Sequence, residues 1–123
     1  MTFKESLEEL KQENQSIPII VEGDKDIHAL RKLGFTGEII RYNQGMSIAD
    51  FCDMIAQTYK EVIILTDWDR RGGYLCHTIK RNIQSRVKCN VLFREKIAKK
   101  ATIKTVEGIP SWLETLREKS SHT

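Results

Sequence analysis

Short apolar runs alternate with amphipathic segments along most of this chain. Four runs are rich in β-branched residues and bounded by turn residues, as is typical of strands. These predicted strands are 17–21, 38–42, 61–66 and 86–93. Three segments between them carry apolar residues at helical spacing, namely 25–33, 47–59 and 73–84. Strands that alternate with helices predict a parallel sheet with helices on its faces and right-handed crossovers.

Helices are also predicted at both ends of the chain. The first spans 2–15 and opens with the capping-box spacing of Thr2–Glu5. Residues 94–104 form a basic connector without a clear pattern, and 103–106 is a candidate short strand. A last helix is predicted to start at 109–111, with Ser111–Glu114 as its capping box.

The length of 123 residues is ordinary for one domain. The sequence contains no repeat, low-complexity tract or linker. We therefore expect a single domain over 1–123, with an N-terminal helix at 1–15, a core at 17–93, and a basic connector with a C-terminal helix at 94–123. Residues 118–123 are expected to be a frayed polar tail.

Acidic residues directly follow two of the predicted strands. The first strand ends at Glu22, and the strand at 61–66 ends at Asp67 and Asp69. Open α/β sheets bind ligands just beyond the carboxyl ends of their strands. Closely spaced carboxylates resist joint ionisation unless a cation offsets their charge. These three acids are therefore a candidate divalent-metal site, and Asp26 falls in the first turn of the next helix, where negative charge is favourable.

The composition and the distribution of charge limit the classes of binding partner to be considered. The formal net charge is +3, and lysines and arginines crowd into the second half of the chain. Taken without the acidic residues, this pattern favours an ordinary solvated surface. Near an acidic metal site, it is also consistent with a phosphate-contacting face. No run approaches the ~20 apolar residues of a membrane span, and no signal-peptide pattern opens the chain, so we expect a cytoplasmic protein without a membrane partner. The three cysteines form no C-x-x-C motif, which leaves a zinc or redox motif unsupported.

The two acidic turns resemble those of the Toprim domain, a catalytic module named for topoisomerases and primases. That family has an apolar strand ending in Glu-Gly, with Asp three positions later, and a second apolar strand ending in Asp-x-Asp-x-x-Gly. The corresponding segments here are Ile19–Asp26 and Ile63–Gly72, within a similarity that covers about 17–93. The chain is most similar to small stand-alone Toprim proteins and to the Toprim part of a ribosomal-RNA maturase. The resemblance implies a Rossmann-like three-layer α/β sandwich, with a central four-stranded, mostly parallel sheet and helices on both faces.

The resemblance also implies roles for the acids. Glu22 matches the family's catalytic acid, which binds metal or transfers a proton, and Asp67 and Asp69 match the ligands of Mg²⁺, with Mn²⁺ as an alternative ion. All three are therefore candidate catalytic and metal-binding residues. Asp26 also matches the family pattern, and we expect it to support the site from outside the ligand set.

Basic and glycine residues near the acids are candidate contacts to the phosphates of a nucleic acid. Arginine suits carboxylate and phosphate partners alike, so charge compensation of the acids is an equal alternative. The candidates are Lys25, Arg70, Arg71, Gly72, Lys99 and Lys100. Trp68 is a candidate for stacking on a base or for packing beside the sheet edge. The turn at 43–45 is expected to border the same cleft.

Three functions fit these residues. The first is a Mg²⁺-dependent nuclease acting on RNA or DNA, with RNA slightly favoured by analogy with the maturase. The second is a non-catalytic nucleic-acid-binding or assembly module of a larger RNA- or DNA-processing complex, because a short chain has little surface with which to grip a long substrate. The third, a phosphotransfer receiver or small phosphatase, is disfavoured because the nucleophilic Asp of such phosphatases usually follows the first strand, where this chain has Glu22. A homodimer or a protein partner stays open.

Overall fold

The computed structural model describes residues 2–42 and 45–121, with the side chains of 119–121 left aside. Two residues of the turn predicted at 43–45 lie outside the described residues, so its position beside the cleft stays a prediction. The boundaries of a single domain over 1–123 likewise stay a prediction.

Four parallel strands form the central sheet. They are β1 (Ile19–Val21), β2 (Ile39–Arg41), β3 (Glu61–Ile64) and β4 (Lys88–Asn90). The strand order is β2-β1-β3-β4, and all three neighbouring pairs run parallel. The predicted α/β fold is thereby confirmed. Because every strand points the same way, the carboxyl ends of β1 and β3 meet at one edge of the sheet.

Six helices cover the two faces of the sheet. They are α1 (Phe3–Asn14), α2 (Asp24–Lys32), α3 (Ile48–Thr58), α4 (Arg70–Ile83), α5 (Leu92–Lys100) and α6 (Ile109–Ser121). One buried cluster joins α1, α2, α5 and the start of α6 to one face, and a second joins α3 and α4 to the other. Strand β1 contributes side chains to both clusters, since Ile19 and Val21 pack in the first and Ile20 packs in the second. The result is the predicted three-layer arrangement.

Local capping fixes where two helices begin. The Thr2 hydroxyl accepts a hydrogen bond from the Glu5 N–H at 3.2 Å, and the Thr2 N–H donates to the Glu5 carboxylate at 3.3 Å. The predicted capping box of α1 is therefore present. The Ser47 hydroxyl accepts from the Asp50 N–H at 3.1 Å in the same way at α3.

The segment after β4 differs from the prediction. Helix α5 occupies 92–100, so the strand ends at Asn90 rather than at residue 93, and the basic connector is largely helical. The Asn90 carboxamide oxygen accepts from the Leu92 N–H at 2.9 Å, which turns the chain out of the sheet. Phe93 and Ile97, four residues apart, then bury against the first cluster. Tertiary packing thus selects a helix that the sequence pattern did not indicate.

The last helix begins within the segment predicted to start it, but the predicted capping box at Ser111 does not lie at its start. Residues 103–106 form no strand, and α6 starts at Ile109, with Ser111 inside its first turn. The Thr105 hydroxyl accepts from the Gly108 N–H at 3.1 Å and turns the chain into the helix. Pro110 is tolerated there because a first-turn N–H needs no helical partner. Helix α6 extends through Ser121, past the start of the tail predicted at residue 118, and the fraying of that tail stays a prediction.

Candidate metal centre

Three carboxylates converge where β1 and β3 end. Glu22 directly follows β1, Asp67 lies three residues after β3, and Asp26 lies in the first turn of α2. One carboxylate oxygen from each side chain lies within 4.8 Å of the other two. Glu22, Asp26 and Asp67 are called the acidic cluster below. They line a cleft of about 480 Å³ that opens to solvent.

Hydrogen bonds to the backbone hold two of these acids in place. The Asp26 carboxylate accepts from the Gly23 N–H at 3.1 Å, which turns it back toward Glu22. The Asp67 carboxylate accepts from the Val106 N–H at 2.9 Å. Residue 106 lies in the loop before α6, so this loop helps to orient an acid that follows β3.

The backbone around Asp67 is held from two sides. The Arg94 guanidinium donates to the Asp67 carbonyl oxygen at 2.7 Å and to the Thr66 carbonyl oxygen at 3.1 Å. On the other side, a Cβ on Gly72 would lie 1.8 Å from the Asp67 carbonyl oxygen. Only glycine therefore allows α4 to approach the acidic turn this closely.

Burial and mutual repulsion disfavour ionisation of the carboxylates in the acidic cluster. Burial, and after it the hydrogen bond and negative charge of Asp67, raise the pKa of Glu22 to about 7. Burial also raises the pKa of Asp26, again with a contribution from the charge of Asp67. Arg71 approaches Glu22 at 4.0 Å, but its side chain is 87% exposed, so solvent screens most of this attraction. A bound cation would relieve the repulsion that the protein itself leaves uncompensated.

The acidic cluster fits a small divalent cation. Carboxylate oxygens are the ligands that Mg²⁺ prefers, and at bond lengths of about 2.0–2.1 Å two such ligands lie about 3–4 Å apart. The carboxylate oxygens of the cluster lie within 4.8 Å of one another, so they need to move only slightly closer together to reach this spacing. The open cleft leaves the remaining positions to water or phosphate oxygens. The donor set is therefore suited to a hard divalent ion.

Asp69 occupies a different position from the other acids. Its carboxylate accepts from the Gly72 N–H at 2.7 Å and caps the N-terminus of α4. It is not part of the acidic cluster within the described residues, whereas Asp26, expected outside the ligand set, belongs to it. This cap also explains why α4 starts at Arg70 instead of the predicted residue 73. Metal ligation by Asp69 stays a prediction.

The predicted phosphate contacts divide by position. Lys25 and Arg71 line the cleft. Arg70 is exposed at the start of α4, and the Gly72 N–H is engaged by the Asp69 cap. Lys99 and Lys100 lie exposed in the last turn of α5 and do not line the cleft. Their roles toward nucleic acid stay predictions.

Aromatic residues at the cleft were not among the sequence candidates. Tyr42 follows β2, and Tyr74 lies in the first turns of α4; both line the cleft. Trp68, for which stacking on a base and packing beside the sheet were both predicted, packs against the first buried cluster, and its indole N–H donates to the Ile103 carbonyl oxygen. Position at a strand exit could have indicated Tyr42. Arg94 had no such indication, because its partners lie 27 and 28 residues away in the chain.

Membrane insertion has no structural support in the described part of the chain, where no helix has the length and apolar character that a crossing requires.

Comparisons with known proteins agree with this geometry. The family model described as "Toprim domain" matches residues 17–107, which extends past the predicted core boundary at residue 93. The UPF0292 protein TV1259 of Thermoplasma volcanium is 44% identical over 89% of this chain and 92% of its own length. The UPF0292 protein MJ1624 of Methanocaldococcus jannaschii is 43% identical over 76% of this chain and 73% of its own.

A solved structure also shares the fold. A protein from Aquifex aeolicus superposes with a TM-score of 0.73 at 30% identity, covering 85% of this chain and 94% of that one. Fold, acidic turns and family model therefore agree: the chain belongs to the Toprim domain family.

Proposed function

We propose that this protein is a Mg²⁺-dependent phosphodiesterase that cleaves nucleic acid, with RNA slightly favoured over DNA and Mn²⁺ as an alternative ion. The Toprim family indicates a metal-dependent function related to nucleic acids. The observation that carries the proposal is the acidic cluster, whose carboxylate oxygens lie within 4.8 Å of one another in an open cleft. Cations at the rim of that cleft suit a phosphate-bearing substrate.

The residues of the cleft would have separate roles in binding the metal and in binding phosphate. Asp67 and Asp26, both oriented by backbone N–H groups, would hold the ion together with Glu22. The ion would offset charge on the scissile phosphate and activate water. Glu22 is the alternative proton-transfer group, as the family resemblance implies. Lys25 and Arg71 would hold phosphate oxygens that the ion does not reach.

A cleavage assay with matched variants tests the proposal. Single-stranded, duplex and structured RNA and DNA are incubated with Mg²⁺ or Mn²⁺ and the wild type, Asp67→Asn or Asp53→Asn. Asp53 is the control, since it lies on α3, outside the acidic cluster, and pairs with Arg86 at 3.0 Å. We expect cleavage by the wild type and the control and a loss of at least about 100-fold in Asp67→Asn, comparable to removing other groups that stabilise developing charge.

The same assay recognises the alternative function. If the wild type cuts no substrate while salt-sensitive binding survives Asp67→Asn, the nuclease proposal fails and the non-catalytic binding module is supported. If Asp53→Asn loses as much cleavage as Asp67→Asn, the loss does not come from the acidic cluster.

A further inference from the structure

The cleft has an apolar wall that the proposed metal chemistry does not use. Tyr42, Tyr74 and Leu75 line the same cleft as Glu22 and Asp67. The Tyr42 ring is fixed, because it packs edge-on against Phe51 with centroids 5.3 Å apart. The Tyr74 ring is 70% exposed, although burial of an aromatic ring is normally favourable. An aromatic face is therefore presented to solvent directly beside the candidate metal centre.

Cations continue from this ring along α4. Five of the exposed residues of α4 and its C-terminal cap follow one another at spacings of three or four and form a stripe, called the α4 stripe: Arg70, Tyr74, His77, Arg81 and Gln84. A second hollow of about 420 Å³ lies on this side of the helix and is lined by His77, Lys80, Arg81 and Gln84.

Within the part of the chain that the structure describes, neither Lys80 nor Arg81 in this hollow pairs with a carboxylate. Arg86, farther along the chain, pairs with Asp53 at 3.0 Å. Seven residues separate Tyr74 from Arg81, which is about 10 Å along a helix axis. At about 3.4 Å per stacked nucleotide, this distance spans about three nucleotides. Helix α4 thus presents the aromatic ring of Tyr74 and, about 10 Å further along, the positive charge of Arg81. This distance matches the length of a few stacked nucleotides.

We propose that single-stranded nucleic acid binds along the α4 stripe, with one unpaired base stacked on Tyr74 and the following phosphates held by Arg81 and by Lys80, which lines the hollow beside the stripe. The inference rests on the proposed function, because it names the substrate class for the same cleft. A duplex keeps its base faces stacked inside the helix and cannot offer one to an exposed ring, whereas a single strand can. Stacking at Tyr74 would place the adjoining phosphate in the cleft, beside the acidic cluster.

Fluorescence anisotropy with a short labelled strand of thymidines tests this substrate class. The titration is done in Ca²⁺, which accepts oxygen ligands, and a gel confirms that the strand stays intact. Tyr74→Ala is expected to weaken binding by about 5- to 150-fold, because stacking contributes about 1–3 kcal/mol per base. Tyr74→Phe keeps the ring and should stay within about two-fold of the wild type. Leu92→Ala removes an equally solvent-facing apolar side chain, 59% exposed and outside the cleft, and should bind like the wild type.

Salt dependence tests the cationic part of the stripe. Arg81→Gln should weaken binding at low salt and reduce the slope of log affinity against log salt by about 0.7, the value for one phosphate contact to a single strand. An unchanged slope would overturn the placement of the strand along α4. A duplex of the same sequence should bind more weakly than the single strand.

The outcomes separate this inference from the proposed function. If the wild type binds the single strand and Tyr74→Ala binds it equally well, the inference fails, whatever the cleavage assay shows. Tighter binding of the duplex, or no binding of the strand by the wild type, also overturns it. If the strand binds through Tyr74 but the wild type cuts nothing in Mg²⁺ or Mn²⁺, the substrate class stands and the nuclease function fails.

Discussion

Replacing Glu22 with glutamine should change how the stability of the metal-free protein depends on pH. Burial and Asp67 raise the pKa of Glu22 from 4.5 to about 7 in the folded state. Between these values the native state holds a proton that the unfolded state releases, so the free energy of unfolding falls as pH rises. At about 1.36 kcal/mol per pKa unit, the wild type should lose up to about 3 kcal/mol across this range. The Glu22 side chain is 12% exposed, so solvent screening removes little of this effect.

Urea denaturation in EDTA, at several pH values from 4.5 to 7, measures this loss. In Glu22→Gln the contribution of residue 22 to the pH dependence should vanish. The free energy of unfolding of the variant, relative to that of the wild type, should therefore increase as pH rises through this window. Glu8→Gln is the control, because Glu8 is an exposed acid on α1 whose substitution should follow the wild-type curve. A constant difference between the wild type and Glu22→Gln over the whole window would refute the electrostatic account of the cluster.

Three substitutions beside the acidic turn give further expected outcomes. Gly72→Ala should destabilise the protein by about 1–3 kcal/mol or more in urea denaturation, because its Cβ would lie 1.8 Å from the Asp67 carbonyl oxygen. Gly73→Ala, whose Cβ would meet only the Arg94 guanidinium at 3.5 Å, should be neutral or stabilise the helix by up to about 1 kcal/mol, and equal losses in both variants would contradict the packing argument. Arg94→Gln should cost about 1.5–3 kcal/mol in the same measurement, because it removes charged hydrogen bonds to two backbone carbonyls, and it should weaken divalent-ion binding; unchanged stability would contradict this role.

The sheet could be predicted because its information is local. Each strand is a short apolar run next to an amphipathic helix, and strands alternating with helices leave few topologies. The acids at Glu22 and Asp67 followed from the same logic, since strand exits of a parallel sheet share an edge. Both predictions depended only on residues close together in the chain.

The remaining features depend on contacts between distant segments. Arg94 and Val106 reach Asp67 from 27 and 39 residues away, so no local pattern connects them with the acid. Helix α5 has a weak apolar stripe, and its burial against α1 decides its conformation.

Asp26 lies in the acidic cluster and Asp69 does not, which is the reverse of the prediction. This difference has a local cause that cannot be read from the spacing of the motif. Both acids cap a helix through a backbone N–H three residues away. Asp26 reaches backward to Gly23 and so stays beside Glu22, whereas Asp69 reaches forward to Gly72 at the start of α4. The direction of each hydrogen bond depends on the backbone conformation of the turn, which the residue types alone did not specify.

Calorimetric titration of Mg²⁺ and Mn²⁺ into the wild type and three variants tests the acidic cluster most directly. Asp67→Asn removes a charge from the cluster, Asp53→Asn removes one from the distant surface of α3, and Asp69→Asn keeps a side chain that caps a helix equally well. We expect specific binding by the wild type, loss of binding in Asp67→Asn, and unchanged binding in Asp53→Asn. Binding retained in Asp69→Asn would mean that Asp69 serves only as the cap of α4. Unchanged binding in Asp67→Asn, or no binding by the wild type even with an oligonucleotide to complete the ion's shell, would contradict the assignment of a metal centre to Glu22, Asp26 and Asp67.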